Sequence, residues 1–296
     1  MRYGCEAARV RLRLRRWRET ATARQATVSS GAMRTACLAT VFWLVCIGPS
    51  GADAADLQPR TAQAFEKYAE EATRDFLARA RKAAAGAKRC DGVIAARAGN
   101  GDGILNVPSG LVHHWLGLMF VRGAQLKQAD GVARDYPSYS KVYKSVLSSK
   151  VLDQKGNTYR VEIRLKEDAG LTAVLDVRSA VDYRAQGDGS ITAISRSEEI
   201  REVDDYGQAN ESKKPVGRDS GYLWRAHTFT HFVQEKDGVL IVMETLGLSR
   251  RYPFGLGWFL EPIARRIGRK SVEESLTEFG VAIRRTAGLA MASACS

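Results

Sequence analysis

The residues equipped for chemistry fall into three groups. His227 and His231 stand four apart in the run Arg-Ala-His-Thr-Phe-Thr-His, and Glu244 lies in the next apolar run. Strand positions four apart share a face, so two imidazoles and a carboxylate could bind zinc or carry out acid-base catalysis. The spacing argues against a metal, because four strand residues span about 13 Å, too far for joint ligation without a bend. No metal and no cofactor is expected. His113 and His114 are adjacent and point to opposite faces of a strand; each by itself reads as an ordinary hydrogen-bonded histidine. Asp176, Arg178 and Asp182 alternate with Leu175, Val177, Val181 and Tyr183. They read as a solvated face with cross-strand ion pairs, with polar groups inside a cavity as the alternative. The chain has no nucleophile elbow, phosphate loop, zinc-finger spacing or dinucleotide fingerprint. Gly99 to Gly103 is glycine-rich, but no helix is expected after it as phosphate binding requires.

The charge of +12 would suit a nucleic-acid partner if it were concentrated. Half of the excess sits in residues 1–54, which hold nine arginines and three acidic residues. The remainder is spread along the chain, so no nucleic-acid partner is expected. From Met33 the chain shows a short basic start, an apolar run from Ala36 to Gly48 and an Ala-Asp-Ala pattern ending at Ala54. That is the plan of a secretory signal peptide over residues 33–54, and its apolar run is too short to span a bilayer. The arginine-rich stretch before Met33 reads as a start codon assigned too early. The expectation is an exported chain, periplasmic or secreted. Cys90 and Cys295 would remain after cleavage, either as a disulfide, which export permits, or as two free thiols.

The elements that must position these groups follow from periodicity. Pro59 to Ala85 predicts a helix with Phe65, Tyr68, Ala69, Ala72, Phe76 and Ala80 on one side. Residues 86–103, rich in Gly, Ala and Asn, read as a linker. Residues 111–121 read as a largely buried strand, followed by a helix-like run over 124–135 and a short turning piece over 138–143. Six further strands are expected near 144–153, 158–167, 171–185, 190–203, 221–235 and 238–250. The tight turns between most of them make these antiparallel. Arg250 to Ile263 carries two prolines, two glycines and four aromatics and reads as a buried hinge. Ser271-Val272-Glu273-Glu274 matches a capping box, so a helix is expected to begin there, with Val272, Leu276, Phe279 and Ile283 on one face.

Several local sequences then stand out together: Val112-His113-His114-Trp115-Leu116-Gly117, Asp135-Tyr136-Pro137-Ser138-Tyr139, Gly221-Tyr222-Leu223-Trp224-Arg225 and Pro253-Phe254-Gly255-Leu256-Gly257-Trp258. With the order of elements, they resemble the START-like, or SRPBCC, superfamily of helix-grip proteins, and in particular a group of exported bacterial members. The resemblance covers roughly residues 104–286 and is structural; it carries over no active site. It implies an α+β fold in which a seven-stranded curved antiparallel sheet wraps around a long C-terminal helix, with an N-terminal helical extension. The expected division is a leader at 1–54, the helix and linker at 55–103, the helix-grip domain at 104–287 and a tail at 288–296. It also implies an apolar cavity between sheet and helix. Trp115, Trp224, Met243, Phe254, Trp258, Phe259, Leu276 and Phe279 are the expected ligand-binding residues, with the hinge as cavity rim. The expected partner is a hydrophobic small molecule or lipid, with transient membrane contact. The alternatives are a cyclase or hydrolase-like enzyme using His227, His231 and Glu244 in that cavity, and a structural module with a filled core. Oligomeric state is not legible.

Overall fold

Seven long runs of alternating side chains, joined mostly by short glycine-containing turns, dictate an antiparallel sheet, and the computed structural model of the chain contains one. The structure describes residues 55–99, 101–168 and 172–291; the leader expected at 1–54 and Cys295 lie outside them. In chain order the elements are β1 (Ala55–Asp56), α1 (Pro59–Ala85), β2 (Gly92–Ala98), β3 (Ile104–Val107), β4 (Gly110–Arg122), α2 (Leu126–Arg134), a 3-10 turn (Tyr136–Ser138) and α3 (Tyr139–Val142). They continue with β5 (Val146–Lys155), β6 (Thr158–Asp168), β7 (Thr172–Ala185), β8 (Ile191–Asp204), β9 (Ser212–Lys213), β10 (Arg218–Asp219), β11 (Arg225–Glu235), β12 (Gly238–Arg250) and α4 (Gly257–Ala287).

The main sheet runs β2-β4-β12-β11-β8-β7-β6-β5, with β3 added to β4 and β9 to β8; β1 and β10 form a separate two-stranded pair. The fold is the α+β helix-grip arrangement, with α4 against one face of the sheet. The sheet has ten strands where seven were expected. The largest correction is the expected linker: Gly92–Ala98 is an edge strand antiparallel to β4. Its small residues are suited to this place, because Val93, Ala96 and Ala98 pack in the core beside α4, where bulk would lift the helix off.

Two hydrophobic cores lie on opposite faces of one sheet. On the first, Phe65, Ala69, Ala72, Phe76 and Ala80 of α1 pack on Val112, Leu116, Leu118, Phe229, Leu240, Val242 and Leu246. On the second, Val272, Leu276, Phe279 and Ile283 of α4 pack on Trp115, Met119, Val121, Phe232 and Ile241. Each such side chain contributes about 1.5–3 kcal/mol on full burial. This explains why β4 is apolar on both faces: it lies between two helices.

α4 starts fourteen residues before the expected cap, so Ser271 sits inside a helix that passes through Pro262. Glu261–Arg265 spans Pro262, while Arg269–Glu273 and Lys270–Glu274 span Ser271, all at i,i+4, and they favour continuity by a few tenths of a kcal/mol each. The helix ends at Gly288, whose φ of 65° is the left-handed cap that glycine accepts without strain. Among the described residues no helix is long and apolar enough to cross a membrane.

Candidate ligand-binding face

Strand parity assigns every candidate to a side. His227, His231 and Glu244 share a face with His114, and it is the face under α1, not the one under α4. The expectation that the three could act in the cavity beneath the C-terminal helix is therefore corrected: a one-residue step in parity sends them to the opposite side of the sheet. Nor does the structure join them there. Glu244, fully buried, receives Arg79 Nη2 at 2.6 Å and Arg79 Nε at 3.3 Å, and His114 Nε2 donates to it at 2.6 Å. The Tyr68 hydroxyl lies 2.6 Å from His114 Nδ1. Tyr68 and Arg79 both come from α1, so this network fastens the N-terminal helix to the sheet. The sequence pattern held no hint of Arg79, because a cation among Ala and Arg on a helix reads as solvated.

His227 packs edge-on to Phe65 at 5.1 Å, and its Nδ1 is buried without a partner. Burial, reinforced by Arg196 and Arg225, lowers its pKa to about 4. His231 lies 3.5 Å from the Thr192 hydroxyl, and burial lowers its pKa too. Among the described residues no cluster of His, Cys, Asp or Glu has the arrangement of a metal site.

Asp176, Arg178 and Asp182 lie on the α1-side face beyond the helix, where the sheet meets solvent. Asp176 accepts from Arg164 at 2.6 Å and from Lys213 at 2.5 Å, and these two cations hold its pKa low against the effect of burial. Arg178 pairs with Glu162, and Asp182 with Arg184. A polar cleft of about 320 Å³ lies here, lined by Lys150, Glu162, Arg164, Asp176 and Lys213. Its charges are matched within the protein.

The α4 side has a different character. α4 lies along β4 and β2, at one end of the sheet, and the middle is covered only in part, with Thr230 and Ser197 buried. Thr228 and Thr245, at the centre of ten strands, are only half-buried, while Phe229 and Glu244 next to them on the other face are sealed. Ser195 and Met243 are likewise half-buried on the open side. His113 points here, hydrogen-bonded through Nε2 to the Ser249 hydroxyl at 2.8 Å, and burial lowers its pKa to about 4.

Of the residues expected to bind a ligand, Trp115, Met243, Leu276 and Phe279 lie on this side. Trp224 lies on the other, in the core under α1, with its indole N–H on Asp219 at 3.0 Å. The expected buried hinge is exposed: Phe254 is fully open, Trp258 is 80 % exposed, and Phe259, Leu256 and Ile263 are also exposed. It neither plugs the core nor forms a sealed rim, because α4 begins at Gly257 and carries Trp258, Phe259 and Ile263 outward on its first two turns, with Phe254 and Leu256 exposed just before it. The stretch 250–270 holds six basic residues and one acidic.

No family model matches the chain, and no curated protein does. Solved structures do. A protein from Thermus thermophilus matches at 15 % identity and TM-score 0.42, covering 57 % of this chain and 96 % of its own. A STAR-related lipid transfer protein from Xanthomonas axonopodis matches at 18 % identity and TM-score 0.37, covering 59 % and 98 %. An aromatase/cyclase from a Streptomyces species matches at 15 % identity and TM-score 0.37, covering 60 % and 99 %. Likeness at this level concerns the chain trace and does not extend to chemistry.

Proposed function

We propose that the chain is a binding or carrier protein that holds a hydrophobic small molecule or lipid between the sheet and α4. One observation carries this reading. The centre of a ten-stranded sheet is sealed on the α1 side and only partly covered on the α4 side, where Thr228, Thr245 and Ser195 are half-buried and small residues stand where a filled core would place large ones. Ligand sites of this kind are concave and mostly apolar, with a few polar groups. Mass spectrometry of the protein under native conditions, after gentle purification, tests it. A co-purifying apolar mass, or saturable uptake of the neutral dye Nile red, is the expected result. A protein that is always empty and ignores the dye leaves the structural-module alternative in place.

Transient membrane contact belongs to the same proposal. The exposed Phe254, Trp258 and Phe259, flanked by Arg251, Arg266, Arg269 and Lys270, have the composition of a segment that settles into an anionic interface. Export, to the periplasm or beyond, is supported by the disulfide at Cys90, since such bonds persist in oxidising compartments. Fractionation of a bacterial host expressing the tagged chain checks this, and retention in the cytoplasm would count against it.

A further inference from the structure

The two faces of the sheet differ in charge as well as in cover. On the α4 side, the register of β4, β12, β11, β8, β7 and β6 presents no Lys, Arg, Asp or Glu from Leu111 to Val121, Val239 to Ser249, Ala226 to Phe232, Ile191 to Ser197, Leu175 to Tyr183 and Tyr159 to Leu165. The opposite face of the same strands carries Glu244, Arg196, Asp176, Arg178, Asp182, Arg160, Glu162 and Arg164. Charge is thus excluded from one side of strands that are rich in it on the other. The open side is not purely apolar either: Thr228, Thr245, Ser195 and the His113 imidazole make a hydrogen-bonding stripe at its centre.

A second observation is independent of that stripe. Among the described residues four buried side-chain polar atoms lack a hydrogen-bond partner, and only one, on His227, lies under α1. Trp115 Nε1 and Ser149 Oγ are on the α4-side face, and the Tyr252 hydroxyl is next to the start of α4. Trp115 is more than nine-tenths buried, and its nitrogen is directed at the helix underside, where a Cβ on Gly268 would come within 2.2 Å of it. A buried donor without an acceptor is costly. All three groups can donate, and an indole N–H can only donate.

Resting on the carrier reading above, we propose that this face takes an uncharged amphiphile whose polar end accepts hydrogen bonds, such as an ester, ketone or ether, and that Trp115 Nε1 donates one of them. A carboxylate or phosphate would have to enter a face whose strands offer no cation and where Arg134, stacked on Tyr183, is already paired with Asp130, and an unpaired buried charge is strongly disfavoured. A plain hydrocarbon would leave the donors unmet.

The test is displacement of Nile red from the whole chain at pH 8 by methyl decanoate, decanoate and decane, which share their chain length. Methyl decanoate is expected to displace at a concentration at least ten-fold lower than either of the others. In Trp115→Phe its advantage over decane should shrink several-fold, while decane itself is little changed. Decanoate matching or exceeding the ester would overturn the inference and leave the carrier reading standing. Decane matching the ester in the unmodified chain would remove the hydrogen-bonding half. Failure of the dye to bind at all strikes the carrier reading itself, and this inference with it. The ligand series on the unmodified chain decides the matter even if Trp115→Phe does not fold.

Discussion

Replacing Arg79 by alanine strikes the contact that fastens α1 to the sheet. Glu244 has no exposed surface, and among the described residues Arg79 is the one Lys or Arg hydrogen-bonded to it, at 2.6 and 3.3 Å. Two unit charges about 4 Å apart interact by about 4 kcal/mol at an effective dielectric constant of about 20. The Arg79 side chain is 27 % exposed, so water partly screens the pair and can partly fill the place of the guanidinium; a loss of about 3 kcal/mol is expected, at the lower end of the cost of breaking a buried pair. Glu244→Gln removes the charge, keeps the shape and still accepts from His114, so it should cost about 1–2 kcal/mol. In that background no charge is left stranded, and Arg79→Ala should then cost under about 1 kcal/mol. The double-mutant cycle therefore predicts a coupling of about 2 kcal/mol, read by urea unfolding followed by tryptophan fluorescence. A cost for Arg79→Ala below about 1 kcal/mol, or an equal cost in both backgrounds, would refute the view that this ion pair anchors the helix.

Acid should weaken the fold through His113 and His227. Both have pKa values lowered to about 4 by burial, against an ordinary value of about 6.5, so the unfolded chain binds more protons in between. Their contribution is complete above about pH 6.5 and is lost as pH falls toward about 4, by up to about 3 kcal/mol each; His227→Phe should flatten the dependence of urea midpoint on pH in that window, and an unchanged slope would contradict it. Gly268→Val should cost about 1–3 kcal/mol by overpacking, since its Cβ would meet the Trp115 indole; thermal unfolding reads this, and a neutral result would mean that α4 moves freely over the sheet. Tyr183 donates to the Ala133 carbonyl at 2.7 Å and accepts from Tyr136 at 2.8 Å, so Tyr183→Phe should cost about 1–2 kcal/mol in the same assay. Replacing Phe254 and Trp258 together by serine should leave the fold intact and reduce co-sedimentation with anionic vesicles several-fold, whereas undiminished binding would place membrane contact elsewhere.

Sequence by itself determined the elements governed by local periodicity. α1 was legible to the residue, because Pro59 can open a helix and apolar residues recur at helical spacing up to Gly86. The long strands fall close to their expected limits, because short glycine turns fix where hairpins reverse. Parity also separated His113 from His114, and the reading of cross-strand ion pairs holds for Asp176 and Arg178, whereas Asp182 pairs with Arg184 of its own strand. What periodicity cannot express is which face of a sheet each helix will cover. Glu244, Arg79 and His114 lie far apart in the chain, and only the docking of α1 brings them together. The strand at Gly92–Ala98 was hidden because small residues look like a linker until a neighbouring strand supplies hydrogen bonds and a helix requires thin packing. The aromatic stretch before α4 looked buried on composition alone, and only the tertiary placement of α4 at one end of the sheet left Phe254 and Trp258 facing water and the uncharged centre of the sheet open.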